Sequence, residues 1–179
     1  MLEDERLKWK LRRGSPDALA RVYEKYVNLM LTLAMGLLSQ RAAAEDVVQD
    51  VFLSFARSAK DLRARGSLRS YLATCVLNRV RDGRRQQQRQ TRRDVGLGAP
   101  IEAPSPERAV ILAEQAARLN QAVAELPDEQ REVVLLRLKA NLKFRDIARL
   151  QQTSINTVLG RYRYGLDRLR SQLNGEVEP

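Results

Sequence analysis

Histidine is absent from this 179-residue chain, cysteine occurs once, at Cys75, and aromatic residues make up only 5% of it. Without histidine the common zinc arrangements and histidine-based acid–base catalysis are excluded, and a lone thiol closes no internal disulfide. Long apolar runs are also lacking. The longest, Val27 to Leu38, is broken by Asn28 and Thr32 and falls well short of the roughly 20 residues a membrane span needs, so no membrane insertion is expected. The opening Met1-Leu2-Glu3-Asp4-Glu5 is acidic, with no apolar core leading to a small-residue cleavage site. No export signal is read there, and a cytoplasmic location is expected. Strand-like alternation is missing throughout.

What the chain has is positive charge in two places. Lysine and arginine total 32 against 22 acids, a net charge of +10. Residues 61–93 hold ten basic and two acidic side chains and residues 137–170 hold nine and two, while residues 94–136 between them are net acidic. A generally solvated basic surface would spread its charge. Two blocks flanking an acidic stretch point instead to two nucleic-acid contact surfaces on separate modules.

Helical periodicity organises the rest. Ser15-Pro16-Asp17 is a helix start, with a hydroxyl cap, proline at the first helical position and an acid in the first turn. Leu19, Val22, Tyr23, Tyr26, Met30 and Leu33 follow at helical spacing. The spacing predicts a second helix over about 41–59, with a stripe of Ala44, Val47, Val48, Val51, Phe52 and Phe55. A third, over about 67–85, buries Leu68, Tyr71, Leu72, Cys75, Val76 and Val80, and the three helices close one core. Residues 86–105 mix glutamine, arginine, glycine and proline, and support no packed element. Ser105-Pro106-Glu107 then repeats the start signal, and that helix must stop or bend at Leu126-Pro127. A short helix over Val133 to Leu138, a turn at Ala140-Asn141-Leu142, a helix over about 143–150 and a last one from Ile155 to about Leu173 complete the chain. The fold class is all-α: two small helical domains over residues 1–88 and 106–179, joined by a flexible linker over 89–105.

Three constellations carry chemistry. Two short helices joined by Gln151-Gln152-Thr153-Ser154, with Ile147, Ala148, Ile155 and Val158 apolar between them, form a helix-turn-helix pattern. Its second helix carries Ser154 as cap and Asn156, Thr157, Arg161, Arg163, Tyr164 and Arg168, donors suited to base edges and phosphates. Asp46, Gln49, Asp50 and Leu53 recur at i, i+3, i+4 and i+7, so they share one face opposite the buried stripe and suit a basic partner helix. A metal held by Asp46 and Asp50 would lack further ligands. Lastly, Arg63, Arg65, Ser67 and Arg69 lead into a helix bearing Asn78, Arg81, Arg84 and Arg85. Cations for phosphates and a place for a splayed base suit a single strand.

In this order, the three constellations resemble those of extracytoplasmic-function sigma factors over nearly the whole chain. Ala44-Glu45-Asp46-Val47-Val48-Gln49-Asp50-Val51-Phe52-Leu53 is similar to that family's core-polymerase-binding helix. Leu62 to Arg85 resembles its promoter-melting segment, with Asn78, Asp82 and Arg85 in the expected places. Leu126-Pro127-Asp128-Glu129-Gln130-Arg131-Glu132-Val133-Val134, Asp146-Ile147-Ala148 and Asn156-Thr157-Val158 resemble its fourth domain. Tyr71 stands where the family usually has tryptophan, Ala64 where it often has glycine, Asn141 where glycine is frequent, and Leu159-Gly160 where a basic residue and serine are common.

The resemblance implies a sigma-two-like domain that binds bacterial core RNA polymerase and the single-stranded minus-ten element, and a sigma-four-like domain that reads the minus-thirty-five element as duplex. It implies no cofactor and no catalytic residue, since catalysis belongs to the polymerase, and it brings in an anti-sigma factor as a further partner. A stand-alone helix-turn-helix regulator would leave the first basic block and the Asp46–Leu53 strip without a task. A nuclease would need a metal site or nucleophile that the sequence does not offer.

Overall fold

The computed structural model describes residues 2–38, 40–62, 66–91 and 107–174. Among the described residues every regular element is helical. In chain order they are α1 (Leu2–Arg12), α2 (Pro16–Leu37), α3 (Arg41–Ser58), a single 3-10 turn (Ala59–Asp61), α4 (Leu68–Thr91), α5 (Glu107–Ala124), α6 (Asp128–Leu138), α7 (Phe144–Leu150) and α8 (Ile155–Asn174). They form two compact units, the first holding α1, α3, α4 and most of α2, the second holding α5 to α8.

In the first unit α2 begins as its residues dictate: Pro16 takes the first helical position and the Ser15 hydroxyl accepts the Ala18 amide at 3.3 Å. Val22, Met30, Leu33, Phe55, Leu68, Leu72 and Val76 are fully buried, so the stripes of three helices meet in one core. Tyr23 packs edge-on against Phe52 with ring centroids 4.7 Å apart, yet it stays 43% exposed, and Tyr71 and Cys75 are only half-buried. These rings and the thiol line clefts where the sequence reading had placed them in the core.

Helix α1 was not expected, and its placement rests on two buried charges. Leu7 and Leu11 turn inward beside Lys8, which is 2% exposed, and Asp4, at 9%. The Asp4 carboxylate accepts hydrogen bonds from the Tyr26 hydroxyl at 2.7 Å, the Leu68 amide at 3.1 Å and the Lys25 ammonium at 3.2 Å. Burial pushes its pKa up, but these three donors outweigh burial and hold it below the ordinary carboxylate value. Burial, then the bond to Asp4, raises Tyr26 to about 12. Lys8 donates to the Glu5 carboxylate at 2.7 Å and to the Gly66 carbonyl.

In the second unit α6, α7 and α8 pack together around Val133, Leu136, Leu142, Ile147 and Val158, all buried. The α5–α6 corner turns at Pro127 and is held by Arg131, whose guanidinium donates to the carbonyls of Val123, Ala124 and Leu126 and pairs with Asp128. A cation there satisfies carbonyls left over at the end of α5. Asn141 takes the left-handed conformation, φ 54°, as the turn at 140–142 requires. Where α8 crosses α6 only glycine fits, because a Cβ on Gly165 would lie 2.9 Å from Val134 Cγ2.

Three expectations need correction. Helix α6 starts at Asp128 rather than Val133: the acids Asp128 and Glu129 form a solvated first turn that suits the helix dipole and needs no apolar stripe. Helix α4 runs on through residues 86–91, where the linker was read, because glutamine and arginine are good helix formers and no glycine or proline intervenes. Ile155, assigned to the helix-turn-helix core, is 48% exposed, since it opens α8 and the buried face begins at Val158. The remaining linker residues and the Ser105-Pro106 start signal lie outside the described residues.

Candidate nucleic-acid interface

Two helices bring the basic blocks to the surface, and both begin on the same device. At α8 the Ser154 hydroxyl accepts the Thr157 amide at 3.0 Å, with the two hydroxyl oxygens 2.9 Å apart. At α4 the Ser67 hydroxyl accepts the Ser70 amide at 3.1 Å, again with the hydroxyls 3.0 Å apart. Ser67 and Ser154, both candidate DNA contacts, thus spend their hydroxyls as helix caps.

On α8 the sides divide cleanly. Val158, Gly165 and Leu169 are buried, while Asn156, Thr157, Leu159, Arg163, Tyr164 and Arg168 are exposed. Asn156, Leu159 and Arg163, at i, i+3 and i+7, share one outward face. The Arg163 guanidinium lies 5.4 Å from the centre of the Tyr164 ring, itself 60% exposed. Arg161 is different. Its guanidinium pairs with Glu129 at 2.8 Å and donates to the Gln151 side chain at 2.8 Å, so it braces the turn between α7 and α8 against α6. The turn itself places Gln152 at φ 51°.

On α4, Arg69, Asn78 and Arg85 are exposed, Arg81 and Arg84 are half-buried, and the Arg85 guanidinium lies 3.9 Å from Asp82. Arg63 and Arg65 lie outside the described residues. The Asp46, Gln49, Asp50 and Leu53 strip is exposed along α3, with Leu53 at 49%. Asp50 accepts from Arg79 Nη2 at 2.6 Å and Nε at 3.0 Å, a fork of two bonds between α3 and α4. Sequence reasoning did not find this pair, because the partners are 29 positions apart.

The fork lies in a cleft of ≈ 470 Å³ between the two helices, lined by Asp50, Leu53, Tyr71, Cys75, Asn78 and Arg79 among others. Asn78 and half of the α3 strip therefore share one groove, although they were read as separate surfaces. Burial raises the Cys75 thiol, a bond with Tyr71 only partly offsetting it. On the other flank of α3 a second cleft joins Asp46, Gln49 and Leu53 to Tyr23, Val27 and Phe52. Among the described residues no helix is long and apolar enough to cross a membrane, and no cluster of three or more histidine, cysteine or acidic side chains is placed to hold a metal ion.

Comparison with known proteins agrees with this geometry. Residues 22–90 match the model of Sigma-70 region 2, and residues 116–167 match that of Sigma-70, region 4. The RNA polymerase sigma-H factor of Pseudomonas aeruginosa is 26% identical over 187 residues, covering 99% of this chain and 95% of that protein. The ECF RNA polymerase sigma factor RpoE of Cereibacter sphaeroides is 27% identical over 158 residues, covering 88% and 87%. Among solved structures, CnrH in complex with the cytosolic domain of CnrY superposes with a TM-score of 0.67 at 20% identity, covering 96% of this chain and 97% of that one. Sigma factor RpoE in complex with the anti-sigma factor NepR from Bartonella quintana gives 0.70 at 22%, covering 87% and 97%. With both regions matched in order, around the capped helices that carry the two basic faces, this chain belongs to the sigma-70 family, in its extracytoplasmic-function group, and directs promoter-specific transcription initiation as a subunit of RNA polymerase.

Proposed function

We propose that the two units divide the promoter between them. The first, residues 1–88 with α4 extending to Thr91, docks on core polymerase through Asp46, Gln49, Asp50 and Leu53 and holds the non-template strand of the minus-ten element along α4. The second, residues 106–179, lays α8 in the major groove of the minus-thirty-five element. The observation that supports this reading best is α8 itself: a capped helix whose one side is core and whose other side offers Asn156, Arg163 and Tyr164 to a groove. Arg161 is withdrawn from that set, since its charge is spent on Glu129. Arg168 serves phosphates.

The exposed apolar side chain of Leu53 beside Asp46 and Gln49 supports a protein partner for α3. Asp50 has a narrower role in this reading, because Arg79 already neutralises it. Replacing Asp46 and Gln49 by alanine together with Leu53→Ala should weaken core binding at least tenfold, about 1.4 kcal/mol or more, with helicity unchanged. Fluorescence titration of labelled chain with core enzyme measures it, and unchanged affinity would remove the docking surface. The work is done in the cytoplasm, where core polymerase acts. That the sigma factor RpoE is held in complex with the anti-sigma factor NepR in a structure of the same fold supports an anti-sigma factor as a further partner.

A further inference from the structure

Helix α1 carries the two most buried charged side chains among the described residues of the first unit, and they hold the two ends of one three-residue turn. Lys8, with 3% of its side chain exposed, donates to the carbonyl of Gly66, and Asp4 accepts the amide of Leu68. Between them Ser67 caps α4. Burying an ammonium and a carboxylate costs free energy that a methionine and a leucine would not, so core packing alone does not account for them. What they do is fix a turn. Gly66 sits at φ +102°, a conformation closed to other residues, and a Cβ there would meet nothing within 4 Å. Among the described residues its shape is therefore held by the backbone and by the two tethers.

The geometry points to Asp4 and Lys8 as positioning residues for minus-ten recognition: α1 holds the Gly66-Ser67-Leu68 turn so that the first turns of α4, with Arg69, meet the strand in one orientation. This rests on the reading of α4 as the strand-holding helix. Neither Asp4 nor Lys8 touches nucleic acid in this account; each acts through the start of α4. Tyr26 supplies a control, because it bonds to Asp4 but not to the turn.

The test uses holoenzyme assembled from the full chain and core polymerase, and single-stranded minus-ten oligonucleotides selected by the wild type from a random pool. Lys8→Met keeps the volume and removes the tether; Gly66→Ala removes no contact and strains the turn. Each should lower oligonucleotide affinity about tenfold, Lys8→Met by losing a charge-assisted hydrogen bond and Gly66→Ala by straining the turn, and change the base preference of a selected pool. Core affinity should stay within about twofold. Tyr26→Phe should leave affinity and preference as they were, at a temperature where circular dichroism shows every variant folded. Wild-type binding and preference by both Lys8→Met and Gly66→Ala, while Arg69→Ala or Asn78→Ala binds poorly, would overturn the positioning role alone. If Arg69→Ala and Asn78→Ala also bind normally, the strand-holding reading of α4 falls and takes this inference with it. Should Lys8→Met fail to fold, Gly66→Ala decides.

Discussion

The α8 helix is started by its own neighbours and the α4 helix by a segment 64 positions away as well. Both have the serine cap, with matching hydroxyl pairs. Only at α4 does a buried carboxylate from another helix take the first helical amide itself, with a buried ammonium on the carbonyl before the cap, whereas α6 reaches the start of α8 through the side chains of Gln151 and Arg161. A locally capped helix needs little beyond its own sequence to begin in the right place. A helix tethered from afar begins correctly only once α1 has docked, so its start reports on the tertiary structure of the whole unit. For a face that reads a rigid duplex, a helix capped by its own neighbours suffices. Strand capture requires the protein to bring its own order, because the single strand brings none.

The comparison breaks most visibly at Asp4. Asp4→Ala leaves the Tyr26 hydroxyl and the Leu68 amide without their acceptor and should cost the first unit about 2–3 kcal/mol. The chain's one tryptophan, Trp9, sits on α1, so its fluorescence during urea unfolding follows that unit. An unchanged fluorescence midpoint would mean the tether is ornamental. The same substitution has a pH signature. Asp4 titrates lower in the folded state than unfolded, so its contribution is present above the ordinary carboxylate pKa and is lost as pH falls through the lowered value. Tyr26 titrates at about 12 when folded against 10.0 otherwise, so its contribution is full below pH 10 and is lost as pH rises through 12. Asp4→Ala should remove the Asp4 contribution to the acid limb of the stability profile and reduce the alkaline limb only in part, since burial is the larger cause of the raised Tyr26.

The serines sharpen the contrast with smaller effects. Ser154→Ala removes the hydroxyl cap of α8 and should cost the second unit about 1 kcal/mol, with Ser154→Asp restoring most of it. Ser67→Ala should cost only about 0.5 kcal/mol, because Asp4 still holds the Leu68 amide. Circular dichroism melts of the two variants give the ranking, and a larger loss for Ser67 would reverse the account.

That asymmetry also explains what was legible beforehand. Ser15-Pro16, the α8 cap, the left-handed Asn141 and the buried stripes all depend on residues within a few positions of one another, and each was read from the sequence. Helix α1 announced itself only weakly, through acids in its first turn, bases in its last and the Leu7–Leu11 pair. The positioning role proposed for it depends on contacts with residues 66 and 68 that no local pattern encodes. The Asp50–Arg79 fork escaped for the same reason, its partners being 29 positions apart, whereas Arg131 lies close in sequence to its acceptors, which are backbone carbonyls that no side-chain pattern marks. At Arg161 the sequence shows a donor and not the Glu129 and Gln151 that it meets in the free chain, since an arginine on a recognition helix and one bracing a turn look alike until Glu129 is placed beside it.

One experiment separates the duplex reading proposed for α8 from the strand capture proposed for α4. Transcription by reconstituted holoenzyme from a library randomised in both promoter elements should show Arg163→Ala losing roughly 1–3 kcal/mol of preference at minus-thirty-five positions only. Arg84→Ala with Arg85→Ala should keep both preferences, weaken open complexes, reduce their salt dependence and be rescued by a premelted minus-ten bubble. If the bubble rescued Arg163→Ala instead, with minus-thirty-five preference intact, the two helices would have been assigned each other's work.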